Sequence, residues 1–181
     1  MRNFKKALSL CLVLVMLVGT LSITAFATDT YTVKFFVNGT EQTNWQLTGN
    51  VGNSVYTTIH NSSLNDHFDP VADYYNPSVT HQALTSLQGY GPAPATINDI
   101  PASYTSVYSD IEETGNSYYY LLETGSQGYH YLYLGYAWTY HYVGGADLWD
   151  YMDSCYPAAG SVLEVVYSLQ ASDFWSSSDL G

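Results

Sequence analysis

Basic residues are nearly absent from this chain of 181 residues, which has 4 Lys and Arg against 16 Asp and Glu. Three of them, Arg2, Lys5 and Lys6, lie at the N-terminus, and the fourth is Lys34. Nucleic-acid backbones and anionic membranes are bound through clustered Lys and Arg, which one lysine cannot provide. We therefore expect neither partner for the chain after its N-terminal segment.

Cysteine is also scarce, with only Cys11 and Cys155 in the chain. Cys11 lies inside an N-terminal apolar run, so Cys155 is left alone and no internal disulfide is expected. The sequence lacks a Gly-x-Ser-x-Gly motif, a His-Glu-x-x-His motif and a phosphate-binding loop. A small hydrolase that uses Cys155 with His130 or His141, or a pair of carboxylates, stays open as an alternative. The absent motifs favour a protein that is not an enzyme.

The N-terminus has the composition of a secretory signal peptide. Three basic residues precede an apolar run over residues 7–23, and Ala25-Phe26-Ala27 supplies small residues where signal peptidase cleaves. A membrane-spanning helix needs about 20 apolar residues, and no basic cluster follows this run. We predict a signal peptide over residues 1–27, cleavage after Ala27 and a secreted, extracellular protein. The exported side chains would then sum to 1 − 16 = −15.

A hairpin is predicted at the start of the exported chain. Polar and apolar residues alternate over residues 30–37, which is typical of a half-buried strand. Asn38-Gly39 follows, and this dipeptide is the strongest short signal for a two-residue hairpin turn. Residues 43–48 are predicted to form the returning strand.

A short helix and a long connection follow the hairpin. Asn53 or Ser54 is the predicted N-cap, and Val55 and Ile59 share one helical face. The connection over about residues 65–116 holds five of the six prolines, and we expect it to be ordered, with a short helix over 81–87.

The C-terminal third is predicted to be mostly strand, over residues 117–123, 129–143 and 162–169. A single domain over residues 28–171 and a frayed tail over 172–181 are expected. The middle segment carries seven alternating aromatic residues: Tyr129, Tyr131, Tyr133, Tyr136, Trp138, Tyr140 and Tyr142. Gly135 interrupts the alternation. A β-bulge there would keep all seven rings on one side of one bent strand, whereas a tight turn would divide them between two strands.

This aromatic ladder is the candidate ligand-binding site. Rings held flat on a sheet can stack on sugars or on the side chains of another protein, and tyrosine adds a hydroxyl at low entropic cost. The alternative is that half of the ladder belongs to the core, since tyrosine is favoured in strands.

Several segments of the chain carry a family resemblance. They are Tyr31–Val37 with Asn38-Gly39, Asn53–Ile59, Trp138-Thr139-Tyr140, Val143-Gly144-Gly145, Tyr151-Met152 and Gly160–Tyr167. Together they resemble the transcobalamin-like C-terminal domain family, a β-grasp module of exported bacterial proteins. The resemblance implies a β-grasp-like fold and a binding or surface module. Cobalamin binding is implied only by analogy with the animal relatives of that family.

No metal or cofactor is expected from the acidic and histidine residues. Asp147, Asp150 and Asp153 would share one helical face and are weak calcium candidates, but they lack the pattern of a calcium loop. A solvated acidic face is the simpler interpretation for them, and also for Asp66, Asp69 and Asp73. The remaining histidines, His60, His67 and His81, have no zinc-site spacing.

These observations predict an α+β, β-rich fold with a β-grasp-like mixed sheet, one short helix and the long connection. The predicted function is an exported, non-catalytic binding or adhesion module for a glycan, a cell wall or a surface protein. Self-association through the tyrosine-rich sheet, or binding of a small corrinoid-type molecule, are further alternatives.

Overall fold

The computed structural model describes residues 29–73, 75–145, 148 and 151–180. The protein is rich in strand, with 48% strand and 11% helix, and the predicted β-rich α+β class with a mixed sheet is confirmed. In the described ranges no helix is long and apolar enough to span a membrane. The signal peptide lies outside the described residues and stays a prediction.

The strands are numbered in chain order. They are β1 Thr30–Val37, β2 Thr40–Glu41, β3 Leu47–Asn50, β4 Asp66–Ala72, β5 Thr80–Leu87, β6 Ala93–Pro94, β7 Glu112–Glu113, β8 Tyr119–Gly125, β9 Gly128–Tyr142 and β10 Val162–Ser176. The α-helices are α1 Val55–His60 and α2 Ala102–Thr105, with 3-10 turns at Thr43–Trp45 and Ile97–Asp99.

The N-terminal hairpin is largely as predicted. Strand β1 has the predicted bounds, and Asn38 (φ 48°) and Gly39 (φ 79°) form the turn in the left-handed region. The prediction of a returning strand over residues 43–48 is wrong for the first half of that range. The chain forms a 3-10 turn there, which brings the Trp45 ring edge-on to Phe35 with 6.4 Å between centroids.

The main sheet has the strand order β2-β1-β10-β9-β8-β7, with β3 pairing to β1 and β6 to β9. Strands β1 and β10 run parallel, from Thr32 opposite Val162 to Val37 opposite Tyr167, and every other pairing is antiparallel. A β1–β3 hairpin, a helix and a last strand parallel to the first therefore place the first and last strands side by side within one mixed sheet.

Two apolar clusters cover one side of the sheet, which we call the front face. The first contains Tyr31, Val33, Phe35, Tyr140, Leu163 and Val165 together with Val55 and Ile59 of α1. The second contains Tyr120, Leu122, Leu132 and Leu134 with Ala95 and Ile100 from the connection. Val55 and Ile59 are fully buried, so the predicted inner face of α1 is confirmed.

The described residues of the connection form short strands, a 3-10 turn and α2, and the helix expected over residues 81–87 is wrong. This segment is β5, which pairs antiparallel with β4 in a separate two-stranded sheet. Leu87 belongs to the first cluster, and Phe68 and Leu84 pack against it. A partner strand and contacts with the core therefore outweigh the weak helical preference of this segment.

Gly135 forms neither the bulge nor the turn considered above. Strand β9 is continuous for 15 residues, and its register with β10 shows no shift between Tyr129 and Tyr142. A Cβ atom at Gly135 would lie 2.9 Å from Cδ1 of Tyr118 and 3.1 Å from the Ala93 carbonyl oxygen. Glycine at this position thus makes room for a ring and a neighbouring backbone, without a change of register.

The fraying predicted from Ser172 onward is also wrong over its first five residues. Strand β10 continues to Ser176, and Ser172–Ser176 pair with Tyr133–Tyr129 of β9. Trp175 stacks on His130 with ring centroids 4.5 Å apart and planes 7° apart. Backbone pairing along the long β9 and this ring contact order a polar segment that its composition alone did not predict to be a strand.

Candidate functional site on the back of the sheet

The seven-membered aromatic ladder is divided between the two faces of β9. Because the register is uninterrupted, side chains alternate strictly along the strand. Tyr136, Trp138, Tyr140 and Tyr142 lie on the front face, while Tyr129, Tyr131 and Tyr133 lie on the opposite side, the back face. A platform with all seven rings on one side is therefore wrong.

Of the four front-face rings, Tyr140 is buried and the other three are half-buried against the core clusters. Tyr140 is 6% exposed and lies in the first cluster, with Trp138 and Tyr142 packed against it. Tyr136 packs against the second cluster. The Trp138 indole Nε1 donates to the Tyr90 carbonyl oxygen at 2.9 Å. These contacts give the four rings a structural role.

The three back-face tyrosines form a larger group with rings from β8 and β10. This back-face aromatic patch consists of Tyr118, Tyr119, Tyr129, Tyr131, Tyr133 and Phe174. Tyr118 stacks on Tyr133 with planes 4° apart, and Tyr119 meets Phe174 nearly edge-on at 5.7 Å. Sequence reasoning missed three members, because strand pairing and not sequence spacing brings them together.

Tyr131 is the anchor of the patch. Its ring is fully buried by its neighbours, and its hydroxyl donates to Oδ1 of Asp179 at 2.7 Å and accepts from the Leu180 amide at 2.8 Å. Burial raises the pKa of the Tyr131 hydroxyl above its ordinary value. Phe174 is 36% exposed, and the other members are half-buried. The patch is thus a rigid group of rings with accessible edges around a fixed centre.

The rest of the back face belongs to neither core cluster, and its β10 side chains are half-buried up to Gln170 and exposed at Ser172 and Phe174. Both apolar clusters take only front-face side chains from β1, β9 and β10. The back-face residues of β10 are Val162, Glu164, Val166, Ser168, Gln170, Ser172, Phe174 and Ser176. Glu164 faces Nε2 of His141 at 3.0 Å. Beyond Val166 this row is uncharged and polar apart from Phe174.

Two depressions adjoin the back-face aromatic patch. One, of about 330 Å³, is lined by Tyr119 and Tyr120 together with Pro94–Thr96 and the 113–117 loop. The other, of about 650 Å³, is lined by Gly115–Tyr118 and Leu180. Both place backbone and hydroxyl groups next to the rings. The second is a shallow, almost flat area of surface, so its polar groups lie beside the ring edges and not in a recess.

The thiol candidate is buried away from both candidate bases. Cys155 is 7% exposed in the first cluster, where its Sγ lies 3.9 Å from the Tyr142 hydroxyl. His141 lies on the back face, on the other side of the sheet. His130 is twelve residues along β9 from Tyr142, about 40 Å at the usual rise, and faces Asp173 at 2.8 Å. The structure therefore does not bring the predicted nucleophile and base together.

The candidate acidic residues mostly contact histidines. Asp147 and Asp150 lie outside the described residues, and Asp153 is 3.2 Å from Nδ1 of His81. The other three acids pair as Asp66 with His60, Asp69 with His67 and Asp73 with His81. Among the described residues no group of three or more His, Cys, Asp or Glu has an arrangement that could hold a metal ion.

Comparisons of the chain with protein-family models, with curated proteins and with solved structures found no match.

Proposed function

We propose that this protein is an exported, non-catalytic binding module whose back face binds an uncharged glycan. The observation that carries the proposal is the back-face aromatic patch, a cluster of six rings on a sheet face that belongs to neither core cluster. The N-terminal signal predicts that this face works outside the cytoplasm.

A sugar is favoured by what surrounds the rings. The apolar faces of pyranose rings stack on aromatic side chains, and their hydroxyls need neutral donors and acceptors nearby. Ser168, Gln170, Ser172 and Ser176 supply such groups along the same face of β10. Tyr129 and Tyr133 supply phenolic hydroxyls, which both donate and accept.

Charge restricts the class of glycan. The exported chain has side chains summing to −15, and its one lysine, Lys34, already contacts Glu41 at 3.1 Å. Sulfated, phosphorylated or uronic acid polymers would be repelled by this field. A neutral polysaccharide or a neutral region of a cell-wall glycan suits the surface better.

Removing rings from the patch tests the proposal. Retention of the protein on insoluble neutral polysaccharides is compared for the wild type, Tyr129→Ala, Phe174→Ala and the double variant. Each ring contact contributes about 0.5–1.5 kcal/mol, so each single change should raise Kd roughly 2- to 10-fold. The matched control is Tyr75→Ala, which removes a tyrosine that is 92% exposed on the turn between β4 and β5.

Protein recovered from the culture medium should be used, and its mass shows whether the chain begins at Thr28. Equal retention of the patch variants and the wild type would contradict the assignment of the site. Failure to bind any neutral polysaccharide would contradict the assignment of the ligand class.

A further inference from the structure

Strand β10 has an open edge over its C-terminal half. On one side it pairs with β9 along its whole length, to Ser176. On the other side it pairs with β1 only as far as Tyr167, because β1 ends at Val37 and turns away through Asn38 and Gly39. In the described part of the chain, no strand pairs with Ser168–Ser176 on that side.

The direction of the backbone groups on this edge follows from the last contact with the hairpin. The Tyr167 carbonyl oxygen accepts from the Asn38 amide at 2.9 Å, so Tyr167 faces the β1 side. Alternate residues of a strand direct their backbone groups to the same side. Leu169, Ala171, Asp173 and Trp175 therefore direct theirs away from β9 and out of the sheet.

This edge lacks the features that usually keep sheet edges apart. Proteins protect open edges with proline, lysine, bulges or very short strands. The segment Ser168–Ser176 has no proline, lysine or glycine, and its register with β9 is unshifted. Residues 171–175 are exposed. The one charged side chain, Asp173, is engaged by His130 and by the Tyr104 hydroxyl, at 2.8 and 2.9 Å.

We propose that a second copy of this chain pairs antiparallel with this edge, around a two-fold axis at Ser172. The edge is self-complementary in that register. Ala171 lies opposite the partner's Asp173 and Leu169 opposite the partner's Trp175, and each pair exchanges two backbone hydrogen bonds. The Leu–Trp pairs meet on the front side, where an aliphatic and an aromatic side chain pack favourably across strands.

A second copy is the occupant that this register selects, because Leu169 falls opposite the partner's Trp175 and no two carboxylates lie directly opposite each other. Phe174 would lie beside the partner's Gln170 on the back face, so the back faces of the two copies would become continuous. This inference uses backbone geometry and does not depend on glycan binding.

Electrostatic repulsion should make the association sensitive to salt. Each exported chain carries side chains summing to −15. Repulsion between two such chains is screened over about 10 Å at 0.1 M salt and over about 3 Å at 1 M. The dimer should therefore form more tightly as salt concentration rises, which is opposite to an interface held by ion pairs.

The first experiment measures the dimerisation constant by sedimentation equilibrium at low and high salt. Ala171→Pro removes an outward backbone N–H from the edge, where proline is tolerated by the fold. This variant should be monomeric, or at least 10-fold weaker in association, while Ala171→Ser keeps the N–H and should match the wild type. Circular dichroism confirms that both variants are folded.

The second experiment tests the register by disulfide cross-linking. Ser172→Cys places two thiols across the two-fold axis, in a non-hydrogen-bonded pair with Cβ atoms about 4.5–5.5 Å apart. Ser176→Cys is the matched control, since in this register it faces the partner's Ser168. Cys155 is buried and serves as an internal reference. We expect a covalent dimer from Ser172→Cys only, under mild oxidation.

A wild-type protein that stays monomeric at high concentration and high salt overturns the proposal. A dimer that survives Ala171→Pro, or that cross-links equally through both cysteine variants, uses another interface and overturns it as well. Glycan retention is measured separately for the monomeric Ala171→Pro variant. If the dimer is absent but glycan is retained, only the dimer proposal fails. If the dimer forms but no glycan is retained, only the proposed function fails.

Discussion

At the scale of single residues, glycines mark the places where another chain segment approaches β strands closely. Gly135 leaves room for the Tyr118 ring, and Gly49 in β3 leaves room for Tyr31. The Tyr31 hydroxyl can donate to the Asn53 and Ser54 carbonyl oxygens, and it also shares a hydrogen bond with the Thr58 hydroxyl. A buried phenol with this many partners cannot move without losing hydrogen bonds.

We predict that Gly49→Ala destabilises the protein by about 1–3 kcal/mol. The added Cβ would overlap the end of the Tyr31 ring and lie 2.7 Å from Oγ1 of Thr58. Urea unfolding followed by tyrosine and tryptophan fluorescence measures the change. The exposed neighbour Thr48 provides the control, since Thr48→Ala should change the free energy of unfolding by less than about 0.5 kcal/mol. A loss of similar size in both variants would refute this account of Gly49.

At the scale of elements, α1 is a six-residue helix that depends on its surroundings. Isolated helices of this length do not form in water. The Ser54 hydroxyl accepts from the Thr57 amide at 3.1 Å, as predicted for an N-cap. The Val55 and Tyr56 amides donate to the Cys155 and Met152 carbonyl oxygens, both at 3.0 Å. The segment after β9 therefore completes the start of a helix nearly a hundred residues earlier.

Replacing the N-cap tests this view of α1. We expect Ser54→Ala to lower the free energy of unfolding by about 1 kcal/mol, because it removes the buried Ser54 hydroxyl and leaves the half-buried Thr57 amide without its acceptor. Thermal unfolding by calorimetry is a suitable measurement. Ser63→Ala, at an exposed site just after α1, is the control and should leave the midpoint unchanged. An unchanged midpoint for Ser54→Ala would contradict this view. It would show that the hydrogen bonds from the Val55 and Tyr56 amides to the Cys155 and Met152 carbonyl oxygens hold the start of α1 without the N-cap.

At the scale of the whole molecule, packed tyrosines and strand pairing stabilise the part of the chain that the structure describes, since Lys34 is its one Lys or Arg and cannot support an ion-pair network. Eight tyrosines have a raised pKa, with burial as the largest cause in each: Tyr31, Tyr104, Tyr108, Tyr120, Tyr131, Tyr133, Tyr142 and Tyr167. The folded state thus favours the neutral phenols. Their contribution to stability is fully present below the ordinary pKa of 10.0 and is lost as pH rises through the higher folded values.

The protein should therefore lose stability in alkali earlier than a protein with few buried tyrosines. We expect the urea midpoint to fall steeply above about pH 10, together with a cooperative rise in tyrosinate absorbance as the chain unfolds. Tyr133→Phe removes one of the eight groups and should make the fall less steep. A midpoint that stays level through this range, with tyrosinate forming in the folded protein, would contradict the prediction.

Local patterns by themselves determined much of this molecule. Alternation over residues 30–37, the Asn-Gly turn and the Ser54 cap predicted β1, its hairpin and α1, because each depends on backbone conformations that only a few residue types favour. The shortage of Lys and Arg argues against anionic partners at the level of composition, and this stays a prediction. These features need no knowledge of distant contacts.

Only the tertiary structure decided where the aromatic rings lie. An unbroken register through Gly135 placed three rings of the ladder on the back face and four on the front face that packs against the core, and a one-residue shift would have reversed that division. Strand pairing added Tyr118, Tyr119 and Phe174 to the patch, and it turned the polar segment after Ala171 into an open strand edge. These outcomes depend on partners far apart in sequence, and no local pattern specifies which strand will lie beside which.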